Sequence, residues 1–171
     1  HSCGRNREGE TEINYMSRIS SIQNDIDRLS IHEHAFMKSI DVIFSEEVRG
    51  MCKQNKCGMY RSSWACPPAV GSVEECNAQC LAYEYAFMFT TVTKVKSRYD
   101  VKGWIHAREE HEKITDQVAD IFRSYDGGSL VLSTEGCRLC TACTYPNEPC
   151  RFPKRMYPAT EGYGILVMQQ A

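Results

Sequence analysis

Cys137-Arg-Leu-Cys140-Thr-Ala-Cys143 sets three cysteines within seven residues, and Cys150 follows on the outgoing chain, just before Arg151-Phe152-Pro153. Thiolates that close together lie on one concave side of a loop. Three corners of a 4Fe–4S cubane need that arrangement, and a fourth cysteine closes the set. A zinc tetrahedron is more often assembled from two separated two-toothed clips. Cys137, Cys140, Cys143 and Cys150 therefore read as an iron–sulfur site, with zinc as the alternative.

A second group runs Cys52-x4-Cys57-x8-Cys66-Pro67-Pro68 and continues to Cys76 and Cys80. Its spacing follows no common cluster pattern. Gly58 and Pro67-Pro68 break regular structure, so Cys57 and Cys66 belong to a loop in which the prolines fix the backbone beside Cys66. Ser72 with Glu75 forms a capping box, and the helix it starts carries Cys76 and Cys80 one turn apart on one face. Cys76, near the helix start, is the expected fourth ligand beside Cys52, Cys57 and Cys66, with Cys80 as its alternate. The competing reading makes both of them small buried core residues. Ligands could also cross between the two sites, as in two-cluster ferredoxins, and Cys66 before Pro67 is the candidate for that exchange.

Two such clusters suit an electron carrier or redox subunit serving a partner protein. An enzyme with an open iron acting as Lewis acid on a small substrate is the alternative, should one centre hold only three cysteines. A structural zinc module is the third reading. The sequence offers no catalytic triad, paired-carboxylate site or phosphate loop. Arg138, Arg151, Lys154 and Arg155 near one group, and Lys53, Lys56 and Arg61 near the other, can offset buried cluster charge or dock an acidic partner.

The 171 residues carry a formal net charge of -2, which gives no case for nucleic acid or membrane binding. Ten cysteines would suit a disulfide framework in a secreted protein. All but Cys3 fall in two bursts, however, and no secretory signal or long apolar run accompanies them. The expected setting is the reducing cytoplasm. Residues 1–15, with Cys3, read as a disordered tail or tag remnant, and residues 16–171 as a single metal-binding domain.

The elements that must position these loops follow from periodicity. Ile19, Ile22, Ile26 and Leu29 predict a helix from Ser17. Ser39 to Phe44 reads as a strand, and Ser45 caps a short helix that delivers Val48 to the core and Cys52 to its end. Tyr85 to Val95 reads as a central strand. A helix from Lys102 to Phe122 turns Trp104, Ala107, His111, Ile114, Val118 and Ile121 to one face, with His111 a core or boundary residue. Leu130 to Ser133 and Ile165 to Met168 read as further strands, with a helical turn at Thr160 to Tyr163. His32 and His34 read as surface residues. The order predicts an α/β or α+β fold, a small mixed sheet with packed helices and the two cysteine-rich loops beyond strand ends.

Val48-Arg-Gly-Met-Cys52, Cys57-Gly-Met-Tyr60, Ser63-Trp-Ala-Cys66-Pro-Pro-Ala-Val-Gly71 and Val73-Glu-Glu-Cys76 carry a resemblance, as do Gly136-Cys-Arg-Leu-Cys140, Cys143-Thr-Tyr-Pro146, Pro149-Cys-Arg-Phe-Pro153 and Tyr163-Gly-Ile165. Together they resemble a family of predicted metal-binding proteins of unknown function, found mostly in anaerobic bacteria and archaea. The likeness spans roughly Ile40 to Ile165. It implies an iron–sulfur-type metal protein, with that role carried onto Cys52, Cys57, Cys66, Cys137, Cys140, Cys143 and Cys150. It implies no reaction.

Overall fold

The computed structural model describes residues 12–126 and 128–167. Their order is α1 (Glu12–Ile26), β1 (Glu33–Lys38), α2 (Glu46–Lys53), α3 (Val73–Leu81), β2 (Tyr85–Thr90) and α4 (Val101–Asp126), with single 3-10 turns at Ser39–Asp41 and Glu161–Tyr163. Among the described residues, four helices and one two-stranded antiparallel sheet, β1 against β2, make this an α+β fold. Two compact units emerge, each from two stretches of chain. The first comprises His1–Met37 and Glu84–Ser129, the second Lys38–Tyr83 and Leu130–Ala171.

The first unit is built around Phe87, which is fully buried. Ile22 and Ile26 of α1 and Val118 and Phe122 of α4 close on it. The rings of Phe36 and Phe122 lie 4.9 and 5.4 Å from that of Phe87. The i, i+4 spacing of each helical pair is what lets two helices present one apolar stripe to one strand. Asp100 starts α4, accepting from the backbone N–H groups of Lys96 and Gly103 at 3.0 Å. Those donors hold its carboxyl below the usual range. His111 stacks on Phe89 and its Nδ1 lies 2.9 Å from the Thr91 hydroxyl, a boundary histidine as expected.

Several expectations shift. The helix expected from Ser17 starts at Glu12. Strand β1 lies at Glu33–Lys38, not at Ser39–Phe44, because pairing with β2 runs through the segment that brings Phe36 to Phe87. Ser39–Asp41 instead coils into a 3-10 turn with Ile40 exposed. Strand β2 ends at Thr90, five residues before the expected Val95. Trp104 is 54% exposed, because the apolar contacts of α4 with the core begin only at Ile114. His34 is half-buried against Phe87 and bonded to Gln23, whereas His32 is exposed.

In the second unit the two expected later strands reduce to single bridges, Ser133 to Ala159 in parallel and Phe44 to Ile165 antiparallel. Pro158 lacks an N–H beside the first bridge, and Gly164, at φ 81°, turns the chain beside the second. Met168 lies outside the described residues. A core of Val70, Cys76, Leu132, Tyr163 and Ile165 holds the unit together. Ser45 caps α2 through the Glu47 N–H, and Ser72 and Glu75 form the expected capping box on α3, at 3.1 and 2.7 Å.

Truncating Phe87→Ala removes the ring on which both helices and β1 converge. It is expected to lower unfolding stability by about 3–5 kcal/mol. Denaturant unfolding of the metal-free protein measures this, and a loss under about 1 kcal/mol would contradict the assignment of Phe87 as the centre of that core.

Candidate metal centre

All nine cysteines among the described residues belong to the second unit, and none of the nine is in a disulfide. Cys3 lies outside the described residues. The long irregular loops of this unit follow from its sequence, since Gly58, Pro67-Pro68, Pro146, Pro149 and Pro153 punctuate both cysteine stretches. The Pro67-Pro68 and Tyr145-Pro146 bonds are cis.

The later loop brings its four cysteines together. Cys137, Cys140, Cys143 and Cys150 line one small cavity with Ser63 and Arg151. Burial pushes the Cys137 thiol up. The Leu139 N–H opposes this by donating to the sulfur, and the nearby Cys150, Cys140 and Cys143 add to the rise. The Phe152 N–H donates to Cys150 Sγ at 3.4 Å. Both donors sit two residues beyond their cysteine, a turn geometry that serves a thiolate better than a thiol. Arg151 Nη1 donates to the Ala142 carbonyl at 2.9 Å, which holds the guanidinium across the loop. Arg138 is exposed, 4.0 Å from Glu135.

The earlier loop gathers three of its five cysteines. Cys52 is half-buried at the end of α2, with its Sγ 3.8 Å from the Glu161 carbonyl. Burial pushes its thiol up, Arg49 opposes this, and Cys57 and Glu161 add to it. Cys57 is exposed and Cys66 buried. Burial also raises the Cys66 thiol, the nearby Ser63 hydroxyl offsets part of that, and Cys57, Cys52 and Cys137 raise it further.

Cys66 thus borders both groups. Their meeting point is Gly136, where a Cβ would stand 2.9 Å from Cys66 Sγ and 2.6 Å from Met59 Cε. Trp64 fastens the same junction by donating from Nε1 to the Glu148 carbonyl at 3.1 Å.

Cys76 and Cys80 are placed differently. Cys76 is fully buried in the apolar core, where its thiol donates to the Val70 carbonyl at 3.3 Å. Its charged neighbours are Arg49 and Glu75, and burial pushes its thiol up. Cys80 packs on the edge of the same core.

Sequence reasoning missed Arg49, Ser63 and Glu161. The Arg49 guanidinium is buried, donating to the Gly71 carbonyl at 2.7 Å and approaching Cys76 Sγ at 3.5 Å, with its Nε unpartnered. Its signal was helical: it follows Val48, the residue already assigned to the core. Ser63 Oγ is likewise buried beside the thiols; its residue stands in the Ser63-Trp-Ala-Cys66 stretch that carries the resemblance, but nothing in that stretch marked the hydroxyl. Glu161 stands at the exposed surface of a densely packed neighbourhood, whose desolvation raises its carboxyl, with Glu135 adding to the effect.

Among the described residues, no three histidine, cysteine, aspartate or glutamate side chains converge tightly enough to clasp a single metal ion. The donor set nevertheless suits a metal: soft sulfur ligands around one cavity, with two backbone N–H groups and a guanidinium to balance their charge. Residues 35–171 match the model of a family described as "Predicted metal-binding protein (DUF2284)". The chain belongs to this family. The matched stretch contains every cysteine of both loops. No curated protein and no solved structure matches the chain. No helix among the described residues is long and apolar enough to cross a membrane.

Two predictions follow from this geometry. Gly136→Ala drives a methyl group into Cys66 Sγ and is expected to reduce bound metal per chain at unchanged helix content. Gly50→Ala in α2, with nothing within 4 Å of its Cβ, should leave metal content intact. Metal analysis with circular dichroism compares them, and equal metal in both variants would refute the role of Gly136. The second prediction concerns pH. The Tyr163 phenol and the Cys66, Cys76 and Cys137 thiols are raised by burial, so each holds its proton more tightly in the folded chain. Their stabilisation is complete below the unfolded values, about 8.5 for cysteine and about 10 for tyrosine, and is lost as pH climbs past them. The denaturation midpoint of the metal-free protein should therefore fall between about pH 8 and about pH 11. A flat or rising profile would contradict it.

Proposed function

We propose that the chain is an iron–sulfur protein that carries electrons for a partner enzyme, with Cys137, Cys140, Cys143 and Cys150 holding one 4Fe–4S cluster and Cys52, Cys57 and Cys66 contributing to a second. The observation that carries the reading is the cavity walled by the four later cysteines, with N–H donors on the sulfurs of Cys137 and Cys150. Hydrogen bonds to cluster sulfurs are among the levers that set cluster potential. A tetrahedral zinc site with Zn–S bonds of about 2.3 Å needs its thiolates within about 3.8 Å of one another. A cubane interposes its own iron and sulfide, so thiolates that do not converge on one point suit it better. The contact of the two cysteine groups at Gly136 supports direct electron exchange between two centres. Exposed Lys53, Lys56 and Arg138 offer a docking rim for an acidic redox partner. When bound, the clusters would supply one-electron chemistry. The chain's own part is to fix the thiolates, donate hydrogen bonds to them and balance their charge through Arg151.

The placement of Cys76 favours a second reading for the earlier group. With Cys76 committed to the apolar core, Cys52, Cys57 and Cys66 form a three-thiol set. A centre held by three protein ligands keeps a coordination position for substrate and acts as a Lewis acid.

Anaerobic purification followed by iron, sulfide and zinc counts tests both readings. About eight iron and eight sulfide per chain are expected, with electron paramagnetic resonance signals after dithionite reduction. Cys143→Ser should remove about half of that iron, and Cys76→Ala should leave the count unchanged. Zinc without sulfide would sink the redox proposal, and loss of iron in Cys76→Ala would restore Cys76 as the fourth ligand.

A further inference from the structure

A second cavity of the same unit, about 590 Å³, shares Trp64, Met156 and Cys150 with the thiol-lined one. Its volume is that of an organic ligand site, typically about 300–1,000 Å³. The walls are flat and apolar: Trp64, Pro146, Pro149, Pro158 and Tyr163. Trp64 is immobilised twice, by its bond to the Glu148 carbonyl and by edge-on packing against Tyr145 at 5.0 Å and 90°. The polar lining is nearly all uncharged. Tyr163 Oη donates to Gln79 Oε1 at 2.8 Å, which orients the amide and leaves its N–H groups to meet an acceptor, and Asn147 adds a second amide.

Charge narrows the ligand further. Among the described residues, neither lysine nor arginine lines the cavity, and Glu148 is the one acidic residue of its lining. A phosphate, sulfonate or carboxylate would meet no cation in that lining and one carboxylate of its own sign. Flat rings against an indole, a phenol and prolines gain apolar contact at little entropic cost, and a carbonyl facing the amides fixes their orientation.

We propose that this cavity binds a small, uncharged, flat-ringed organic molecule bearing a carbonyl or similar acceptor, seated against the Cys150 side of the metal centre. The site adds to the carrier reading and stands on its own walls, independent of which metal the thiols hold. With Cys150 in both linings, a ligand here lies one side chain from the centre.

Equilibrium dialysis and ligand-observed NMR on the full-length protein test this, with 2-acetylnaphthalene as the neutral probe and 2-naphthoate as its anionic isostere. Saturable binding of the ketone is expected, with the carboxylate at least about tenfold weaker. Trp64→Leu and Gln79→Leu should each weaken the ketone by about tenfold, and Trp104→Leu should not change it. Gln79 is exposed on α3, but its variant leaves the Tyr163 hydroxyl without that acceptor, so circular dichroism and denaturant unfolding of both variants check that a loss of binding is not a loss of fold. Absence of saturable binding, equal affinity for the two probes, or affinity unchanged by Gln79→Leu would overturn the proposal. Iron and sulfide counts on the same samples separate its failure from failure of the cluster.

Discussion

Holding several thiolates close together is the constraint under which the second unit is built. Burial disfavours every charge, and each deprotonated sulfur adds repulsion of its neighbours, so the Cys52, Cys66 and Cys137 thiols all keep their protons above the ordinary range. Deprotonated together, the gathered set would be electrostatically frustrated without a cation to balance it. Regular structure is poorly suited to such convergence, because a helix or strand spreads successive cysteines along an axis. The unit answers with loops fixed by prolines and tied down by specific bonds, among them Trp64 to Glu148 and Phe152 to Cys150.

The first unit follows the opposite logic. None of its described residues is a cysteine, and its order comes from aromatic and aliphatic packing around Phe87. The two units therefore separate two physical problems, apolar burial and the management of sulfur charge, into different parts of one chain.

Part of the candidate site's layout was legible because closely spaced cysteines leave a local imprint. The C-x2-C-x2-C spacing already implies a single concave loop, and the structure lines one cavity with those three residues and Cys150. The capping box at Ser72 was equally local and was read at its true position. What periodicity left open was direction. Helical spacing put Cys76 and Cys80 on one face but not on a particular side, and only the apolar contacts of Val70, Tyr163 and Ile165 place that face in the core. The strands were the least legible elements. Ser39 to Phe44 has the right residue types, yet pairing depends on a partner elsewhere in the chain, and β2 is met by the preceding segment instead. Arg49 and the Trp64–Tyr163 cavity are likewise products of tertiary contact, which no short window of sequence contains.

The cysteine-bearing unit is made from two stretches of chain with Glu84–Ser129 between them. During synthesis, then, Cys52, Cys57 and Cys66 leave the ribosome long before Gly136 and Cys137 exist to meet them. Local contacts can order α2 and α3 early, but the junction at Gly136 is a long-range closure that comes late. The nascent chain passes through an interval in which reactive sulfurs are displayed without their counterparts. A cell making this protein has reason to keep that interval reducing and to deliver metal only after the last loop has emerged.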